Sequence, residues 1–551
     1  MSKEAGWDPI RELTTSYGAY DFKRISGDFG QALTDEVAFR LNAMYEDSGS
    51  YRDGVSIERY GFTPTFTIRP DDNTKIVLSA EYFDDKRTAD RGVPSQNVAG
   101  NSGFKNRPYN IGDEDTFFGN ARLSPTETET VAFNASIEHA FENGVGVKNS
   151  TRYAIYDKYY QNVFARSAVA NNNTVQLGAY RDETKRENLI NQTDVTYKLK
   201  TGSIEHKLLA GAEFSVQDTD NNRSTPFAGS ENVPGTFSVN NPTVSGLTFN
   251  NVTRNLESSV TVAGFYLQDQ ITFSPQWQAI VGLRHDNFDT DFTDVLSNND
   301  INVSDNLLSP RAGLIFKPLE PLSLYANYSV SYVPRAGDQL TSLTVTNATF
   351  KPEKFINYEV GAKWDINPNL AFTAAIYQLE RENVQVADPN NPAQQIIVDG
   401  QETKGIELGL TGNITDKWSV FGGVAFQDGE ITKQQGVGAG AVLKGAELAQ
   451  TPDRTLSLWN KYEINDMWAV ALGVVSVSER LAALPTATTS TVMPGYTRYD
   501  AAIFGKLSEK LHLQFNIENL TNKEYALYAH NNNNITPGSP ITGRATLIYN
   551  F

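Results

Sequence analysis

The sequence predicts an all-β protein, a 22-stranded antiparallel transmembrane β-barrel with short turns at one end and long loops at the other. Three observations carry this. The chain stops inside a strand: Ile541 to Phe551 puts Ala545, Leu547, Tyr549 and Phe551 on one face and Arg544, Thr546, Ile548 and Asn550 on the other. A terminal strand needs a partner, and a closed sheet supplies one by pairing last strand with first. The same period-2 alternation recurs far upstream. Leu322, Leu324, Ala326, Tyr328, Val330 and Tyr332 oppose Ser323, Tyr325, Asn327, Ser329 and Ser331, and Leu511, Leu513, Phe515 and Ile517 oppose His512, Gln514, Asn516 and Glu518. Ile406, Leu408 and Leu410 likewise oppose Glu407. Finally, connections alternate between tight turns and longer loops, which a soluble sandwich does not require.

The turns give the element count. Tight ones fall at Thr34 to Glu36, Pro70 to Asn73, Glu142 to Gly144, Lys200 to Gly202, Ser274 to Gln276, Leu319 to Pro321, Asn367 to Asn369, Thr415 to Lys417, Asn465 to Asp466 and Ser508 to Lys510. Two strands and one longer connection lie between successive turns, so ten turns imply 22 strands and eleven outer loops, with both chain ends on the turn side. The outer connections Lys86 to Glu127, Thr219 to Asn255, Pro334 to Lys351, Thr432 to Leu448 and Tyr525 to Thr542 are rich in Asn, Gly, Ser and Pro and are expected to carry recognition. Trp277, Trp364, Trp418, Trp468 and, slightly farther off, Trp459 lie near tight turns, as an interfacial aromatic girdle requires.

Composition narrows the class. No apolar run reaches the length of a membrane-crossing helix. The 25 Tyr and 29 Phe argue against disorder, and zero Cys removes disulfide and thiolate chemistry. A net charge of −18 disfavours nucleic acid as a partner. No Gly-x-Ser-x-Gly elbow is present, and no enzyme activity or cofactor is expected.

Several segments then resemble one family. Phe265 to Gln270, Leu308 to Leu314, Leu324 to Ser329, Lys351 to Lys354 with Asn357 to Gly361, Lys404 to Leu408, and Asn516 to Lys523 look like the barrel of TonB-dependent siderophore receptors, in order and spacing from Gly6 to Phe551. The resemblance implies a bacterial outer-membrane barrel working as a monomer, with outer-membrane lipid around it, a ferric siderophore as transported ligand and TonB as partner of the full-length parent. It also implies a signal peptide, a TonB box and a plug domain ahead of the barrel. Met1 to Trp7 has no apolar h-region. The expected division is therefore a short remnant at 1–10 and a barrel at 11–551, a plugless form without energy-coupled transport, with a passive porin-like channel as the alternative. Leu547, Tyr549 and Phe551 would serve as the barrel-terminal signal.

Lys86 to Ser95, with Phe117 to Gly119 and Ser136 to Phe141, is similar to catecholate-type members. A ferric catecholate is anionic and aromatic, and guanidinium groups with ring faces would hold it. Arg87, Arg91, Tyr109, Arg122, Tyr159, Tyr160, Tyr332 and Arg335 are the candidates, against a plainer reading as girdle aromatics and loop braces. No metal site is expected. Asp218 to Asn222 starts like a calcium loop but lacks its Gly and closing Glu, which leaves a solvated loop, and Asp289 and Asp291 near His285 simply face the lumen together.

Overall fold

The computed structural model describes residues 3–97, 105–109, 115–334, 351–388, 391–398, 400–434, 441–486 and 488–551. One 22-stranded antiparallel sheet closes on itself. Its strands are β1 (Ile10–Gly18), β2 (Phe22–Ala32), β3 (Val37–Gly49), β4 (Ser56–Asp71), β5 (Thr74–Thr88), β6 (Pro125–Ala140), β7 (Val145–Ala165) and β8 (Leu177–Thr201). There follow β9 (Ile204–Thr225), β10 (Asn251–Thr272), β11 (Trp277–Asp294), β12 (Asn299–Leu319), β13 (Leu322–Val333), β14 (Glu353–Asn367) and β15 (Leu370–Glu382). The last are β16 (Gln401–Thr415), β17 (Trp418–Ile431), β18 (Arg454–Glu463), β19 (Trp468–Val477), β20 (Tyr496–Lys506), β21 (Leu511–Glu518) and β22 (Thr542–Asn550). Each strand pairs with its sequence neighbour, and β1 pairs with β22 from Glu12 opposite Asn550 to Gly18 opposite Arg544. Closure satisfies every edge, as lipid demands.

Alternation sets which residues meet lipid. On β10 to β12, Phe265, Leu267, Val281, Leu283, Leu308 and Leu314 are exposed on the outer face, while Arg284 and Asp286 pair on the inner face. So much exposed apolar surface belongs against hydrocarbon. Trp277, Trp364, Trp418 and Trp468 stand on this face next to the tight turns, Trp277 stacked on Phe316 at 4.5 Å. Toward the other end, outward tyrosines touch carboxylates: Tyr45 to Glu58 at 3.2 Å, Tyr82 to Glu129 at 3.1 Å and Tyr153 to Glu187 at 3.1 Å.

Four sequence expectations change. Trp459 lies on the inner face, because Tyr462 three residues on faces out opposite Trp418, and three residues along a strand reverses the side. Its ring covers Gly473, where an added Cβ would come within 2.5 Å of it. Asp289 and Asp291 share the outward parity of Val281 and Leu283 and do not face the lumen. Asp218 to Asn222 is not a loop but part of β9, paired in register with β8. Not every outer connection is long: β1 and β2 are joined by 19–21, where Tyr20 and Asp21 both have φ +56°, and β11 and β12 by 295–298.

Strand length is uneven around the ring. Crossing a bilayer takes about nine to eleven tilted residues, yet β7, β8, β9 and β10 have 21, 25, 22 and 22. Their upper halves stand clear of the lipid-facing band. By contrast β18 to β22 have 8 to 11 residues.

The long outer connections form a cap with its own core. Val93, Phe118, Val175, Val233, Met493, Ala526 and Ile535, drawn from five of these connections, pack with Val163, Ala165, Leu177 and Ala179 of the β7–β8 crest. Backbone pairing ties the pieces together: Val93 N–H donates to Ile535 O at 2.8 Å and Ile535 N–H returns to Val93 O at 3.0 Å. Gly92 has φ +75°, and a Cβ there would lie 2.0 Å from Ile535 O, so only glycine admits this approach.

Candidate functional site

The β7–β8 crest is covered on both faces. Its odd residues enter the cap core, while its even residues line a cavity of about 620 Å³ on the inner side. Alternation delivers the lining in rows: Tyr156, Lys158 and Tyr160 from β7, and Tyr180, Asp182, Thr184, Arg186 and Asn188 from β8. Thr128 of β6, Arg223 of β9 and Arg254 of β10 extend the wall, and Arg91 and His530 reach in from the cap.

Arg91 is held among aromatic rings, 4.6 Å from the centre of Phe164, 5.3 Å from Tyr180 and 5.8 Å from Tyr160. Its Nε donates to Tyr160 Oη at 3.1 Å and its Nη2 to Tyr180 Oη. Arg223 covers the same Tyr180 ring at 4.2 Å, so that ring lies between two guanidinium groups. Arg223 Nε donates to Asp182 at 2.7 Å, and a second nitrogen stands 3.2 Å from Glu231.

The electrostatics follow from enclosure. Burial raises the Tyr180 phenol above its ordinary range despite the nearby arginines. Burial works against the Arg223 charge, but Asp182 and Tyr180 outweigh it and hold its pKa above the usual value. Arg254 is lowered, first by burial and then by Arg223. His530 is lowered as well, by burial and then by Arg91, although its ring keeps an open side.

Of the eight sequence candidates, the structure brings Arg91 and Tyr160 together in this cavity. Arg87 is on the inner face of β5 paired with Asp85, Arg122 is exposed on the short 3-10 turn Ala121–Leu123, and Tyr109 packs at the cap core edge-on to Phe118. Tyr159 and Tyr332 occupy outward-parity positions, one residue out of step with the inner face, and so leave the site. Arg335 lies outside the described residues. Sequence reasoning missed Lys158, Tyr180, Asp182, Arg186, Arg223, Arg254 and His530. The readable signal was that Arg181 to Asn188 is polar on both parities, which marks a strand continued beyond the lipid-facing band without saying which parity faces the cavity. Among the described residues no group of metal-ligating side chains is gathered.

A closed 22-stranded barrel with a lipid-facing band and a loop-roofed cavity is an outer-membrane receptor barrel by class. A family model described as TonB dependent receptor-like, beta-barrel matches residues 59–520, and the chain belongs to that family, whose barrels are bacterial outer-membrane proteins. A probable TonB-dependent siderophore receptor, PiuA of Acinetobacter baumannii, is 28% identical over 96% of this chain and 75% of its own length. The metal-pseudopaline receptor CntO of Pseudomonas aeruginosa is 27% identical over 100% of this chain and 77% of its own, and the catecholate siderophore receptor Fiu of Escherichia coli 26% over 100% and 77%. The crystal structure of PiuA superposes with a TM-score of 0.88 at 24% identity over 100% of this chain and 82% of that one, a likeness of fold.

Proposed function

We propose that this chain is the translocation barrel of a ferric-siderophore uptake receptor and that the cavity beneath the β7–β8 crest holds the ligand from the loop side. One observation carries the reading. In a chain of net charge −18, Arg91, Lys158, Arg186, Arg223 and Arg254 converge on one cavity, with Asp182 as the one carboxylate among its described lining residues, beside the rings of Tyr156, Tyr160 and Tyr180. Such a site suits an anionic, aromatic ferric chelate. Fiu, named a catecholate siderophore receptor, supports a catecholate ligand. CntO, named a metal-pseudopaline receptor, favours a second reading in which the chelate is not a catecholate. In both readings the protein is a monomer and not an enzyme, Trp277, Trp364, Trp418 and Trp468 mark one membrane interface, and Leu547, Tyr549 and Phe551 serve as the terminal insertion signal. Energy-coupled import belongs to the receptor as it meets TonB; the barrel by itself is a passive, porin-like pore.

The test is equilibrium binding of a ferric tris-catecholate to the purified 551-residue chain in detergent, with a metal–polycarboxylate chelate as competitor. Saturable binding lost in Arg91→Ala supports the assignment, and absence of any saturable binding overturns it. Preference for the polycarboxylate selects the second reading. Single-channel recording of the same preparation should show steady conductance, which a ferric chelate added on the loop side reduces.

A further inference from the structure

Arg223 and Arg254 stand directly opposite each other on neighbouring strands, both on the inner face, at the upper end of β9 and β10. Like charges in opposed positions destabilise a sheet pair. Only part of this repulsion is offset. Asp182 accepts from Arg223 at 2.7 Å but lies 3.8 Å from Arg254. Its carboxylate is also committed to Asn221 and, at 3.5 Å, to Thr184. Glu231 reaches Arg223 at 3.2 Å. Arg254 is thus the less compensated member of an enclosed pair, and both guanidinium groups line the cavity.

We infer that the Arg223–Arg254 pair is an anion subsite that takes a carboxylate or phenolate arm of the ligand, with Asp182 as a resident counter-ion occupying part of that place until the ligand arrives. The inference rests on the reading of the cavity as the ligand site and adds where the anionic arm goes. A planar fork on each side of the incoming oxygen pair gives more charge-assisted bonds than a lone guanidinium can. Asp182 then sets a threshold: a weakly charged molecule gains little by competing with a carboxylate already held by hydrogen bonds, whereas a multiply charged chelate does.

The predicted signature is a trade between stability and binding. An arginine that merely braces the wall stabilises it, so removing it lowers protection of the wall. An arginine kept for an anion costs stability in the empty protein, so Arg254→Gln leaves protection unchanged or raises it. The experiment compares wild type with Arg254→Gln and Arg254→Lys in detergent, by hydrogen exchange of the β9 and β10 crest. Citrate serves as a multiply charged probe and chloride as the control at equal ionic strength, since an anion that binds only the folded wall must protect it. In wild type, citrate raises protection. In Arg254→Gln, baseline protection is equal or higher and at least tenfold more citrate is needed, with Arg254→Lys between. Lower baseline protection in Arg254→Gln with an unchanged citrate response overturns the subsite, as does no citrate effect in wild type. A citrate effect that depends on Arg254, together with no binding of ferric tris-catecholate to wild type, leaves the subsite standing and refutes the siderophore reading instead.

Discussion

The tall wall formed by β7 to β10 and the short wall formed by β18 to β22 belong to one sheet but do different work. The tall strands continue past the lipid-facing band and place side chains by alternation alone, so every second residue of a rigid ladder lines the cavity. The short strands end near the band and hand over to the connections 478–495 and 519–541, which cross to the tall wall and roof it. A site on strands is set by register, and a roof built of loops by tight packing and a few glycines. The first should resist point substitution and the second should not.

The largest effect is expected where the roof meets the wall. Ile535→Ala empties a position that is 0% exposed and should cost about 2–5 kcal/mol of local stability. Gly92→Ala should act in the same direction through backbone collision. Hydrogen exchange of the cap amides should accelerate in both, while the heat-modifiable gel mobility of the folded barrel stays unchanged. Loss of the folded band would show that roof and wall are one cooperative unit and erase the distinction.

Next comes the boundary of the band on β11. Leu283→Arg, on the outer face and 48% exposed, should destabilise the barrel in lipid by about 2–4 kcal/mol. Asp289→Arg, six residues along the same face, should change stability by no more than about 0.5 kcal/mol. Equal costs would mean the upper strand is also in hydrocarbon. Within the cavity, Tyr180→Leu removes the ring between Arg91 and Arg223, and at about 0.5–2 kcal/mol per lost cation–π contact should weaken chelate binding roughly tenfold with the barrel fold intact.

The smallest effect concerns pH. His530 titrates below the ordinary His value in the folded cap, so the fold favours its neutral form. That stability is complete above the ordinary value and is lost as pH falls through the folded one. Opening of the hairpin of Ala526–Asn531 with Asn534–Pro537, corrected for intrinsic exchange rates, should become easier between pH 7 and pH 5, and His530→Gln should flatten the dependence.

The barrel was legible because lipid imposes a simple code. Alternation marked the strands, Gly, Pro, Asn and Asp marked nine of the ten tight turns and Ser508 the tenth, and the C-terminal strand announced closure. Site residues were only partly legible. Arg91 and Tyr160 lie in the cavity lining, whereas Tyr159 and Tyr332 fall on the outward parity, since proximity to an outer end does not say which way a side chain points. Tyr180 and Asp182 stand out by no motif in a stretch that is polar on both faces, and Arg223 and Arg254 fall in a segment that reads as the connection Thr219 to Asn255. Trp459 and Asp289 failed for the same one-residue reason.

Closure between β1 and β22 has a consequence for how the molecule is made. The contact that joins Glu12 to Asn550 links the first strand of the sheet to the twenty-second, so the ring cannot be completed until β22 has been synthesised. Until then two strand edges stay open, inviting wrong partners, and the most costly loop closure is left to the end. Assembly of this chain is therefore a race between correct zipping and aggregation, decided at its final nine-residue strand.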